Sequence, residues 1–135
     1  MAVGQRKLNM KNQGLVRAMA SMGGGIASSG GPCGALTGGV ALLGCVFGKD
    51  KPEGNDDPLM QRSCRDYYRR FEEEVVGKWG SVNCRDIADV DWRDRDQAAV
   101  FRKGTGVVEC AETAGKAARI LGEVLEKYFG TEVRK

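Results

Sequence analysis

The chain has 135 residues, 41% hydrophobic and 29% charged, with 21 Lys and Arg against 18 Asp and Glu for a formal net charge of +3. This is the balance of one folded domain rather than a disordered chain, and with the charges distributed through the same segments it makes a weak case for nucleic acid. Histidine is absent, which excludes Ser-His and Cys-His nucleophile pairs, His-ligated metals and the commonest general base.

Residues 1–12 are assigned no element and are left open to disorder. Gln13–Met22 is predicted as a short helix, with Leu15, Val16, Met19 and Met22 at helical spacing. Gly23 to Gly31 holds five glycines in nine residues and is expected to be a loop without regular structure. Pro32 stands where a helix start tolerates its missing N–H, so CGALTGGVALLGCVFG predicts a second helix from about Cys33. The uncharged run Ala18–Gly48 is broken by glycines, serines and Pro32. Its part after Pro32 is shorter than the ~20 apolar residues of a bilayer span, so a buried helix and no membrane insertion are expected.

Lys49–Pro58 is charged, with two prolines and a glycine, and predicts a loop ending in Asp57 and Pro58 as helix cap and first-turn residues. A third helix is predicted over Leu59–Trp79, where Met60, Cys64, Tyr67 or Tyr68, Phe71, Val75 and Trp79 form a core-facing stripe. Gly80 ends it, Ser81–Ala88 predicts a short helical turn capped by Asn83, and Asp89–Asp96 is a charged excursion around Trp92. The last helix starts near Gly106. Val107, Cys110, Ala114, Ala117, Leu121, Val124 and Tyr128 step along it by three and four residues, which places Cys110 toward the core. Strand-like alternation does not persist anywhere. The class expected is therefore all-α: a single domain over residues 1–135, a small bundle of about four helices with a Gly-rich loop before the CGALTG helix.

Five cysteines, an odd number without a clear signal peptide, fit a reducing compartment better than a disulfide framework, and the cytoplasm is the expected location. Cys33 has the most suggestive position, after a glycine loop and in the first turn of a helix. The helix N-terminus favours negative charge and so favours its thiolate, which is both a nucleophile and a metal ligand, and the loop amides at the same place suit an anion. Equally, Cys33 reads as an inert small core residue. Gly34 and Gly38, with Ala35 and Gly39, put small residues four apart on the second helix, so either another helix or a cofactor approaches its backbone closely.

The segments SMGGGIASSGGPCGALTGGVALLG, FEEEVVGKWGSVNCRDI and VVECAETAGKAARILGEVLEK together resemble the C_GCAxxG_C_C family of redox-active proteins, named for a CGAxxG motif and spaced cysteines. The resemblance covers most of the chain. It implies an all-helical domain in which Cys33, Cys84 and Cys110 gather to bind an iron-sulfur cluster or another thiolate-bound metal, or to cycle redox state. Gly24, Gly25, Gly34 and Gly38 are then the candidates to lie against a cofactor, and an oxidoreductase or transporter is the partner implied. The family has a further cysteine before the glycine loop, and Met1–Met22 contains none. Cys64 is the candidate fourth ligand, since Cys45 lies more than two helical turns beyond Cys33. The competing reading is a non-catalytic helical binding module whose cysteines are structural. The arginines at 62, 65, 69 and 70 alternate with acids and read as a solvated helix face. No enzyme substrate is assigned.

Overall fold

The computed structural model describes residues 1–130. Among them are seven α-helices and no strand, so the all-α class holds while the number of helices exceeds the expected four. Three helices form the core: α3 (Gly34–Phe47), α4 (Leu59–Arg70) and α7 (Gly106–Phe129) pack on one another. Leu42, Leu43, Tyr67, Phe71, Ile120, Val124 and Leu125 are almost wholly excluded from solvent there. Removing so many large apolar side chains from water is the main term favouring the fold, at about 25 cal/mol per Å².

Small residues set how closely α3 and α4 approach. A Cβ on Gly39 would lie 2.3–2.5 Å from the Tyr67 ring, and the Tyr67 hydroxyl donates to the Ala35 carbonyl at 3.1 Å. The close approach anticipated for α3 is therefore made by another helix on its Ala35/Gly39 face. Burial and the nearby Cys33 raise the Tyr67 phenol well above its usual range, burial being the larger cause, so it stays a neutral donor.

Three expected boundaries change. Residues 1–12 are not structureless: α1 (Ala2–Lys7) packs against α3 and α7, with Lys7 paired to Glu126 at 2.7 Å. The helix expected over Leu59–Trp79 stops being α-helical at Phe71. It continues as a π-helical segment Phe71–Val75 and a 3-10 turn Gly77–Trp79, then ends at Gly80 with φ +65°. The wider π turn, of the kind that occurs as a single turn within α-helices, accompanies burial of Phe71, Val75 and Val76 together. Within Asp89–Asp96 the expected excursion is short, because Asp94 accepts from the backbone N–H groups of Asp96 and Gln97 and starts α6 (Arg95–Lys103).

On the outside, Arg70 bridges Glu74 and Glu123 at 2.5 Å each, and Arg119 reaches the same two carboxylates at 3.2 and 2.7 Å. Arg70 is the main cause that holds both carboxyls below their ordinary range, and Lys127 does the same for Asp66. A carboxyl with a depressed folded pKa stabilises the fold above its unfolded value of about 4 and loses that contribution as pH falls through the folded value. The thermal midpoint is therefore expected to drop on acidification below about pH 4, less steeply in about 1 M salt. An E74Q/E123Q chain that keeps the full slope would show that the network is not its source.

Candidate functional site

The glycine loop is ordered by its own backbone. α2 (Gln13–Ala20), capped by the Asn12 side chain, runs into five successive residues with positive φ: Gly24 +63°, Gly25 +75°, Ile26 +59°, Ala27 +52° and Ser28 +58°. This is a left-handed helical turn, not the structureless loop expected from its glycines. For non-glycine residues it costs roughly 1–2 kcal/mol each, and a β-branched Ile there is a clear outlier. Hydrogen bonds offset the cost: Ala27 N–H donates to Ser21 O at 2.7 Å, Gly30 N–H to Gly24 O at 2.9 Å and Gly31 N–H to Gly25 O at 3.0 Å.

The outgoing limb of this loop clamps two cysteine segments together. Pro32 and Asn83 form an isolated antiparallel bridge. Cys33 N–H donates to Val82 O at 2.8 Å, Cys84 N–H to Gly31 O at 2.6 Å, and Arg85 N–H to Gly30 O at 3.2 Å. The Arg85 guanidinium closes the clamp on the Gly30 and Ser29 carbonyls. Cys33 thereby becomes the N-cap residue of α3, although its side chain accepts no capping hydrogen bond. Cys84 becomes the first residue of α5 (Cys84–Ala88), whose N-cap Asn83 likewise makes no side-chain cap.

A cavity of about 40 Å³ opens where α3, α5 and α7 meet, and Cys33, Cys84 and Cys110 all line it, with Trp79, Phe101, Glu109 and Thr113 among its walls. The three thiols differ in setting. Cys33 is 8% exposed, Cys84 is half-buried and Cys110 is exposed. Cys110 thus does not face the core as its spacing suggested, because the buried face of α7 begins only at Thr113 and the helix's first two turns overhang the bundle beside α5 and α6. Burial pushes the Cys84 and Cys110 thiols up. Each also feels Cys33, and Cys84 feels Cys110, the mutual repulsion expected of sulfurs sharing one small space.

The Trp92 indole N–H donates to the Cys84 sulfur at 3.2 Å and opposes that upward shift. Its ring meets Phe101 edge-on with centroids 4.9 Å apart. The sequence marks Trp92 only as the centre of a charged excursion. A lone indole among DVDWRDRD is the available signal, since a half-buried N–H needs a partner.

Cys64 does not line this cavity. It sits on α4, packed at the edge of the core and beside Ser63, with its thiol raised by burial. Cys45 is exposed on α3. The glycines proposed for a cofactor are met by the chain itself. A Cβ on Gly24 would touch Ser28, one on Gly25 the Gly31 backbone and Cys84 Cβ, one on Gly34 the Met22 carbonyl, and one on Gly38 the backbone nitrogen of Met1 at 3.7 Å. Among the described residues, no three Cys, Asp or Glu side chains stand as a group able to hold a metal ion.

Fold and site together define an all-helical protein in which three cysteines from separate helices share one small cavity. Residues 1–124 match the family model described as "Putative redox-active protein (C_GCAxxG_C_C)", and the chain belongs to that family. No curated protein and no solved structure matches it. No described helix is long and apolar enough to cross a membrane.

Proposed function

We propose that the chain is a redox protein that works through the thiols of Cys33, Cys84 and Cys110, in a reducing compartment such as the cytoplasm and in the service of a larger oxidoreductase or transporter. The observation that carries this reading is the convergence of the three residues on one cavity of a family described as redox-active. In the simplest chemistry two of the thiols form a disulfide, releasing two protons and two electrons to an acceptor, and the reverse step takes them back. The graded exposure suits exchange with an external thiol or disulfide: Cys110 meets solvent, and the more buried sulfurs stand behind it.

A second reading rests on the number of thiols, since three is one more than a disulfide needs. Thiolates are the donors that soft metals and iron-sulfur clusters prefer, and Cys33, Cys84 and Cys110 would hold such a group, with Glu109 also on the cavity wall. The donor chemistry fits, whereas the side chains as placed do not make a ligand group, so binding requires them to close inward. When bound, a cluster would supply one-electron transfer. Cys64 as a fourth ligand gains no support from its position.

Differential alkylation of a Cys45→Ser chain, poised across a series of glutathione potentials and read by mass spectrometry, tests the first reading. Two of the three cavity cysteines are expected to oxidise together while Cys64 stays reduced. Anaerobic reconstitution with iron and sulfide, followed by absorption spectroscopy and metal analysis, tests the second. Independent oxidation of all three cysteines, with no stoichiometric metal in a folded protein, would sink both and leave a helical binding module with structural cysteines.

A further inference from the structure

The near balance of charge over the whole chain conceals an uneven distribution. Before Asp50 there is no Asp or Glu, while Arg6, Lys7, Lys11, Arg17 and Lys49 contribute +5 to a chain whose total is +3. Lys7 is paired with Glu126. Arg6, Lys11 and Arg17 are exposed, make no ion pair among the described residues, and stand around an open groove of about 720 Å³ between α1 and α2. Ala2, Met10 and Val16 supply its apolar surface, and Val16 is 40% exposed.

The walls are fixed in place. Gln5, 6% exposed, donates from its amide to Asn12 O at 3.0 Å and accepts from Asn12 N–H at 3.2 Å, which staples the end of α1 to the start of α2. α2 itself buries no residue although its apolar and polar positions are segregated. An amphipathic helix that leaves Val16 exposed and Leu15 and Met19 only half-buried, beside cations that make no ion pair among the described residues, is the surface expected to meet a binding partner.

We propose that the α1–α2 groove docks an acidic amphipathic helix of a partner protein. Its carboxylates pair with Arg6, Lys11 and Arg17, and its apolar side chains settle on Met10 and Val16, methionine being adaptable in such a role. Single-stranded nucleic acid is disfavoured because no aromatic residue precedes Phe47, so no ring is available on this surface to stack a base. A membrane surface is disfavoured because the cations surround a concavity, whereas an interfacial helix presents a protruding apolar face. Docking here stands independently of the thiol chemistry. It places the partner on the helix that precedes the left-handed turn, whose outgoing limb holds Cys84.

The test is fluorescence anisotropy with a labelled peptide of about 18 residues, Leu at helical spacing and Glu elsewhere, long enough for five turns. Vesicles of phosphatidylcholine and phosphatidylserine, and an oligothymidylate, are measured in parallel. The acidic peptide is expected to bind the full chain, more weakly as salt rises, and roughly tenfold more weakly to R6E/K11E/R17E. A K51E/R62E/K116E chain carries the same charge change on exposed residues elsewhere and is expected to bind like the wild type, with circular dichroism reporting that both variants are folded. Absent binding, equal loss in the two triple variants, or a preference for vesicles or oligothymidylate that depends on Arg6, Lys11 and Arg17 would each overturn the proposal.

Discussion

A Gly25→Ala chain is expected to be about 3 kcal/mol less stable than the parent and to unfold roughly 10 °C lower. Two costs add at this position. The backbone has φ +75°, where an L residue is disfavoured by about 1 kcal/mol or more. An added Cβ would also stand 2.3 Å from Gly31 O, 2.6 Å from Gly31 N and 2.8 Å from Cys84 Cβ. Two of those atoms are backbone and cannot swing aside, and Gly31 O is the acceptor for Cys84 N–H. Relief of the overlap must therefore pull the loop away from Cys84.

Gly80→Ala separates the two costs, since Gly80 has φ +65° but nothing within 4 Å of the added carbon. It should lose only the conformational part. Chemical denaturation of both variants gives the comparison, and iodoacetamide labelling of Cys84 in the native state should accelerate in Gly25→Ala alone. If Gly25→Ala costs no more than Gly80→Ala, the loop does not press on Cys84 and the clamp has been misread.

That clamp marks where sequence reasoning stops. Helical periodicity placed α4 and the C-terminal half of α7 because each buries a continuous stripe, a local pattern with a global cause, whereas α3 was legible from Pro32 and the uncharged run after it. The same rule misplaced Cys110, since spacing continues along a helix after the neighbour that would cover it has ended. α1 escaped notice because six residues are too few for a periodic signal. The left-handed turn is legible in Gly24 and Gly25 but not in Ile26, Ala27 and Ser28, whose conformation is imposed by hydrogen bonds to residues on either side. Cys33 stands out by its place after the glycine loop at a helix start, but its grouping with Cys84 and Cys110 comes from the family resemblance rather than from spacing. What brings Cys33 and Cys84 together is a pairing of residues 30–33 with 82–85, in which every contact is backbone to backbone except the Arg85 side chain. Backbone bonds leave no trace in residue type, except that glycines permit the approach.

Replacing Trp92 by Phe should slow alkylation of Cys84 at pH 8 by roughly 10- to 100-fold and move its pH midpoint upward. The reasoning rests on one bond and its sign. The indole N–H donates to the Cys84 sulfur, and a donor stabilises thiolate more than thiol. Burial acts in the opposite direction and is the larger influence on this group, so the thiol is already hard to ionise and loses its main local relief when the donor goes. A hydrogen bond to a charged group is worth about 1.5–3 kcal/mol, or one to two pKa units at 1.36 kcal/mol each. Phe keeps an aromatic face for Phe101 while removing the N–H, and Phe101→Leu alters the ring contact while leaving the N–H in place. Only the first should shift the Cys84 profile. Under the disulfide reading the couple should respond only at alkaline pH, where Cys84 ionises: there Trp92→Phe destabilises the reduced thiolate form and makes the disulfide harder to reduce. Equal shifts in the two variants would mean that Trp92 acts by packing alone, and an unchanged profile in both would remove it from the site.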